Sequence, residues 1–201
     1  MRVHNGCRPC AGGIMLICDR TQPRHYGDEH GRYWSVSQVC DVVCGVSRYY
    51  APGSDERGTD VHLIFALAVG HSVGLCDAPD VPREYQGYYR GIMGFIEKYA
   101  PRPSGIERAR KHPTLPVAGT IDFAGMIQSE FVVLDFKTGV KERRHKMQIE
   151  AYAHLVGPTP TRQLLYINGD GEYEYIRVKK LPGDWAAFQN GLSILQWREQ
   201  R

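Results

Sequence analysis

No stretch of about 18 consecutive apolar residues occurs anywhere in the 201-residue chain, which excludes a membrane-spanning helix. The opening residues, MRVHNGCRPCAGGIML, lack an apolar core of signal-peptide length, so export is not expected and a cytoplasmic location is. There is no internal repeat and no low-complexity tract. Gly-x-x-x-x-Gly-Lys is missing, so no nucleotide cofactor and no ATP-driven step is expected. An excess of one charge is also lacking. Lys and Arg number 25 against 22 Asp and Glu, and the net +3 permits a polyanionic partner without announcing one. Cysteine is absent beyond Cys76, the last of six (Cys7, Cys10, Cys18, Cys40, Cys44, Cys76). Without an export signal these are expected as reduced, mostly buried thiols.

Cys7-x2-Cys10 followed by His25-x4-His30 loosely fits a zinc site. A classical finger presents both histidines on one helix, and Pro23 and Gly27 interrupt this stretch. RHYGDEHGRYW reads better as two short aromatic strands around a turn. Residues 1–33 are thus expected as a lead-in with one strand in GIMLICD and this hairpin, ahead of a single domain over 34–201.

The periodicities that follow predict a mixed α/β chain. Ser35 or Ser37 caps a helix at SVSQVCDVV, and YAPGSDERG reads as a loop before a buried helix at VHLIFALAVGHSV. REYQGYYRGIMGFIEKYA is a second long helix, ended by Pro101 and Pro103. Strands follow near IERAR and at VAGTIDFAGMI and FVVLDFKTG, the last two joined by a hairpin-sized Gln-Ser-Glu. HKMQIEAYAHLV is helical. RQLLYI and EYEYIRVKK flank Asn-Gly-Asp-Gly, the strongest hairpin signal present. Asp184 is expected to cap a closing helix.

The chemistry gathers on the middle hairpin. Asp122 lies seven residues before Ser129 and Asp135 six after it, so the two carboxylates are expected nearly opposite one another. Asp135 and Lys137 are two apart and share a face, while Val132, Leu134 and Phe136 point the other way into a core. Acids and an amine inside apolar strands are costly to bury without partners, and oxygen donors of this kind suit Mg²⁺. A structural Asp–Lys salt bridge is the plainer alternative. Gly119 and Gly125 bracket Asp122, and the basic run KERRHK follows Gly139. Gln148 and Tyr152, four apart, share one helical face.

RGTDVH (57–62), Glu107 with its His112-Pro113, GTID (119–122), LDFKTG (134–139) and QIEAY (148–152) occur in order across about 95 residues. Together they resemble the PD-(D/E)xK nucleases in their RecB-type, phage-like exonuclease branch. The resemblance implies a restriction-endonuclease-like α/β core, a mixed central sheet with flanking helices. It implies Asp122, Asp135, His62 and the Phe136 carbonyl as metal ligands and Lys137 as the catalytic lysine. Gln148 and Tyr152 would contact substrate, and Glu107 would serve as a second-metal or substrate-side acid. It implies Mg²⁺, with Mn²⁺ substituting, and activity on DNA ends in recombination, repair or phage DNA processing, in a bacterial or phage-infected cell. A homo-oligomer or a recombination partner would fit, and a membrane would not. Some relatives carry an iron–sulfur cluster held by cysteines near the C-terminus, and none lies there, so no cluster is expected.

DNA contact is expected from Lys141, Arg143 and Arg144, with Arg57, Arg108, Arg110, Lys111 and Lys146 around them. Two other readings stand beside the enzyme: a catalytically silent DNA-binding or scaffold protein of the same fold, and a metal-binding regulatory module on the N-terminal cysteines.

Overall fold

The computed structural model describes residues 17–19, 25–45, 54–157 and 160–200. Cys7, Cys10 and the side chain of His25 lie outside this set, so the Cys7–Cys10–His25–His30 zinc spacing is not seen whole. The strands are β1 (Ile17–Asp19), β2 (His25–Asp28), β3 (Gly31–Ser35), β4 (Arg102–Lys111), β5 (Val117–Ile127), β6 (Glu130–Lys137), β7 (Thr161–Ile167) and β8 (Tyr173–Arg177). The helices are α1 (Val36–Cys44), α2 (Ser54–Ser72), α3 (Gln86–Tyr99), α4 (Arg143–Val156) and α5 (Pro182–Glu199). The expected α/β architecture, a mixed sheet with helices on its faces, is what the chain adopts. Among the described residues no helix is long and apolar enough to cross a membrane.

The sheet runs β1-β2-β3-β5-β6-β7-β8, with β4 added on β5. β3–β5 and β6–β7 are parallel; the other pairs are antiparallel. Ala118 pairs with both Ser35 of β3 and Lys111 of β4, and Phe123 pairs with both Ile106 of β4 and Leu134 of β6. A strand has only two hydrogen-bonding edges. β3 and β6 therefore share one edge of β5, and residues 119–122 occupy the fork between them. Asp122 sits at its inner end.

One face of the sheet is covered by α1, α4 and α5, whose Val36, Val39, Ile149, Phe188 and Leu192 pack on Ile121, Val133 and Leu164. The other carries α2 and α3, whose Phe65, Val69, Ile92 and Phe95 pack on Phe123, Leu134, Phe136 and Leu165. Two residues two apart on a regular strand face the same way. Ile121 and Phe123 instead enter opposite cores, so β5 changes face at Asp122.

Three boundaries differ from the sequence expectations. α2 begins at Ser54 rather than after the charged loop, because Pro52 and Gly53 precede it and Gly58 is the only helix-weakening glycine between Ser54 and Val69. β4 begins at Arg102 and includes Pro103. Among the described residues it pairs with β5 alone, and an edge strand tolerates proline. α5 begins with Pro182 in its first turn and Leu181 at the cap position, so Asp184 lies inside the first turn, where its charge suits the helix dipole. Ser35 caps α1 as expected: its hydroxyl accepts from the Gln38 N–H, and the Gln38 side chain accepts from the Ser35 N–H.

Candidate metal-binding active site

The β5–β6 register has Phe123 opposite Leu134 as its last pair, with Gln128 and Ser129 as the turn, so Asp122 and Asp135 are the residues just beyond the paired hairpin. Both are buried, at 6% and 1% exposure. Regular pairing stops at Phe123, and the Asp122 carboxylate takes up the next donor itself: the Phe136 N–H donates to Asp122 Oδ2 at 2.7 Å. The strand ends thus splay around a carboxylate while the backbone N–H stays satisfied.

Asp122 gathers two partners from other elements. His62, on α2, places Nδ1 3.4 Å from Asp122 Oδ1 and 3.6 Å from Glu107 Oε1. One donor atom each from His62, Glu107 and Asp122 lie within 4.8 Å of one another. Glu107 reaches this position from an irregular place in β4, opposite Asp122 in register, with φ at +46°. A left-handed conformation in a non-glycine residue costs about 1–2 kcal/mol and persists where the surroundings impose it. The His62 ring packs edge-on against Phe136, 4.9 Å between centroids, and Phe136 stacks on Phe65. Phe65 is one helical turn beyond His62, so α2 supplies both the imidazole and part of the apolar wall behind it.

Asp135 sits apart from that trio. Both of its oxygens face Lys137 Nζ, at 3.0 and 2.8 Å. His62, Asp122 and Glu107 therefore form one group and Asp135–Lys137 a second beside it. Of the residues that the resemblance implies as ligands, His62 and Asp122 lie in the trio with Glu107, and Asp135 lies in the adjoining pair.

Electrostatics separate the two acids. Burial alone would raise the Asp122 pKa, but His62, Lys137 and the Phe136 N–H together hold it below the ordinary carboxylate value. Asp135 goes the other way: burial and the Asp122 charge outweigh Lys137 and push it up to about 7. Burial disfavours the His62 imidazolium, yet Asp122 and Glu107 overcome that and raise its pKa to about 10. In the metal-free chain a protonated His62 would offset the two carboxylates, a role that a bound cation, which needs the neutral ring, would take over.

The helix residues meet the hairpin from the other face. α4 is buried on nearly every side, including His145, Gln148, Glu150 and Tyr152. The Gln148 side-chain amide donates to the Tyr152 hydroxyl at 2.9 Å. The Tyr152 ring lies over Gly119, where a Cβ would fall 2.7 Å from Cε1. At Gly125 a Cβ would fall 2.2 Å from the Arg102 carbonyl oxygen. Both glycines thus admit close approach by the protein's own parts, a ring and a strand.

The basic residues fare unevenly. Lys111 Nζ is 2.6 Å from Asp28 and also donates to the Tyr33 hydroxyl. Arg144 pairs with Asp41 on α1 at 2.8 Å and is mostly covered, and Lys141 pairs with Glu174 on β8. Arg110, Arg143 and Lys146 are exposed, and Arg57 and Arg108 are half-buried. Tertiary pairs that no local pattern announces complete the surroundings. The Tyr26 and Thr120 hydroxyls are hydrogen-bonded at 3.0 Å beside the fork, and Glu150 is paired with Arg162 and His154.

The donor set of one imidazole and two carboxylates suits a divalent cation of the Mg²⁺–Mn²⁺ type or Zn²⁺. Glu107 Oε1 is buried and has no hydrogen-bond donor among the described residues, which fits an oxygen held for a cation.

No family model and no curated protein matches the chain. Among solved structures, an alkaline exonuclease (LHK-Exo) from Laribacter hongkongensis is similar with a TM-score of 0.49 and 12% identity, over 83% of this chain and 87% of that one. LHK-Exo in complex with dAMP gives a TM-score of 0.47 and 14% identity over 83% and 87%. At these identities and scores neither likeness bears on activity.

Proposed function

We propose that the chain is a metal-dependent deoxyribonuclease, an exonuclease in preference to an endonuclease, with residues 34–201 as its nuclease domain. One observation carries the reading. A metal-competent trio, His62–Glu107–Asp122, adjoins a buried Asp135–Lys137 pair at the splayed end of a hairpin. The residues fit a divalent cation, Mg²⁺ with Mn²⁺ as substitute. His62, Glu107 and Asp122 would hold it from one side, and Asp135 with the Phe136 carbonyl would hold it, or a second ion, from the other. Such an ion supplies Lewis acidity and lowers the pKa of a bound water.

The chain's own groups account for the rest. Lys137 Nζ, aimed by Asp135, presents a cation where negative charge grows on the phosphate. Tyr152, whose oxygen accepts from Gln148, would donate its hydroxyl proton to a phosphate oxygen. The Phe65–Phe136 stack keeps water from the back of His62, which strengthens every charge interaction in front of it. Arg143 and Lys146, exposed beside the start of α4, would contact the nucleic-acid backbone with sequence-independent, salt-sensitive affinity, with Lys141 and Arg144 joining if released from Glu174 and Asp41.

The test is direct. End-labelled linear single- and double-stranded DNA and closed circles are incubated with Mg²⁺, Mn²⁺ or EDTA. Products shortened from ends identify an exonuclease and linearised circles an endonuclease. Binding without cleavage in every condition means a catalytically silent scaffold and ends the enzyme reading. Lys137→Ala should abolish turnover while leaving metal binding by calorimetry within about twofold.

A further inference from the structure

Lys137 and Tyr166 are partners in the parallel register of β6 and β7, so their side chains lie side by side on the face covered by α4. The Tyr166 hydroxyl is 3.0 Å from His145 Nδ1, and both residues are only 8% exposed. His145 is in the first turn of α4, the helix that carries Gln148 and Tyr152. Its Nδ1 also receives the Glu142 N–H at 3.4 Å. A backbone N–H can only donate, so Nδ1 carries no proton, and the Tyr166 hydroxyl donates to it. The histidine is therefore a neutral ring held against a tyrosine, in a place flanked by the cations Lys137 and Arg144. Burial and those two cations hold its pKa down at about 3. From the outer side, Lys141 Nζ sits 5.8 Å from the Tyr166 ring centroid and pairs with Glu174, the β8 partner of Tyr166. Tyr166 thus ties the catalytic strand, the first turn of α4 and the basic loop 138–142 together beside Lys137.

We propose that His145 and Tyr166 are positioning residues for Lys137: their hydrogen bond fixes α4 and the 138–142 loop as a dry wall that holds the lysine amine toward Asp135. The hydrogen bonds of the pair do not involve the metal-competent trio. Its effect on catalysis rests on the nuclease reading, but its effect on Lys137 does not. A wall of this kind matters because displacement of a catalytic group by about 1 Å costs up to about 100-fold in rate.

Two readouts separate the claims. In Tyr166→Phe, which deletes one oxygen, and in His145→Leu, acylation of Lys137 by acetic anhydride, followed by mass spectrometry, should run severalfold faster than in the parent. Lys98 and Lys111 should be unchanged, since opening is confined to this wall. His145→Gln, whose amide oxygen can still accept from Tyr166, should restore most of the protection. On DNA, Tyr166→Phe should lose about 10-fold or more in kcat, with KM and the half-saturating Mn²⁺ concentration within about twofold. Unchanged Lys137 labelling in both Tyr166→Phe and His145→Leu overturns the proposal whatever happens to the rate. Faster labelling of all three lysines equally overturns it too, because the bond would then serve only global stability. If the parent cleaves no DNA, the nuclease reading falls and the labelling alone decides the positioning role.

Discussion

Asp135→Asn should make the metal-free protein more stable and inactive at once. The Asp135 carboxyl is 1% exposed, feels the Asp122 charge, and has Lys137 as its neutralising neighbour. Its pKa is raised from 3.8 to about 7. Each unit corresponds to about 1.4 kcal/mol, so ionising this group in the folded chain costs on the order of 4 kcal/mol at and above neutrality. Below pH 3.8 both states are protonated and there is no cost; between about pH 4 and 7 the unfolded chain ionises first and stability falls; above pH 7 the loss is constant. Asparagine is nearly the same size and offers Lys137 an amide oxygen, and the lost Lys137 attraction is already counted in the raised pKa, so most of that cost returns as stability. The expected outcome in EDTA is a stabilisation of roughly 2–4 kcal/mol at pH 8, shrinking to nothing near pH 4, read as the shift in urea midpoint at constant m-value. With Mn²⁺ or Mg²⁺ added, the parent should gain midpoint as ligand binding requires, and the variant should gain far less. A variant less stable than the parent at pH 8 in EDTA, or a gain equal at pH 4 and 8, would refute the electrostatic account of this pair.

Arg162→Met strips the buried Glu150 of its guanidinium partner and should cost about 3–5 kcal/mol by denaturant titration, whereas replacing Glu150 and Arg162 together by apolar residues should cost much less. Gly87→Ala should unfold or severely weaken the protein, by about 3 kcal/mol or more on the thermal transition. Its Cβ would fall 1.6 Å from the Gly169 carbonyl oxygen, where α3 meets the β7–β8 turn and only backbone could move. His145 should make stability fall as pH drops. Its folded pKa is depressed to about 3, so the stability it contributes is complete above about pH 6.5 and is lost toward pH 3. The slope approaches 1.4 kcal/mol per unit. His145→Gln should remove that slope from a series of urea midpoints.

The local chemistry of the sequence determined most of the elements. Ser35 with Gln38 wrote the start of α1, Asn168-Gly169-Asp170-Gly171 wrote the β7–β8 turn, and the alternation around Gln128-Ser129 brought Phe123 opposite Leu134. Such features depend on neighbours close in the chain, and the period of two alone puts Asp135 and Lys137 on one face. His62 and Glu107 were legible as candidates, but their distance to Asp122 was not. It depends on α2 packing on the hairpin through Phe65 and Phe136, and on a left-handed residue in β4 that no periodicity announces. Only the tertiary structure brings Glu107 beside His62 and Asp122 and sets the Asp135–Lys137 pair next to them. Only it tied Lys111, Arg144 and Lys141 to Asp28, Asp41 and Glu174, partners 83, 103 and 33 residues away. The fork between β3 and β6 was likewise out of reach, because a parallel pairing such as β3 with β5 joins segments some 80 residues apart and leaves no local mark. Spacing along a strand is fixed by backbone geometry, whereas the company a charge keeps is fixed by which surfaces must leave water together.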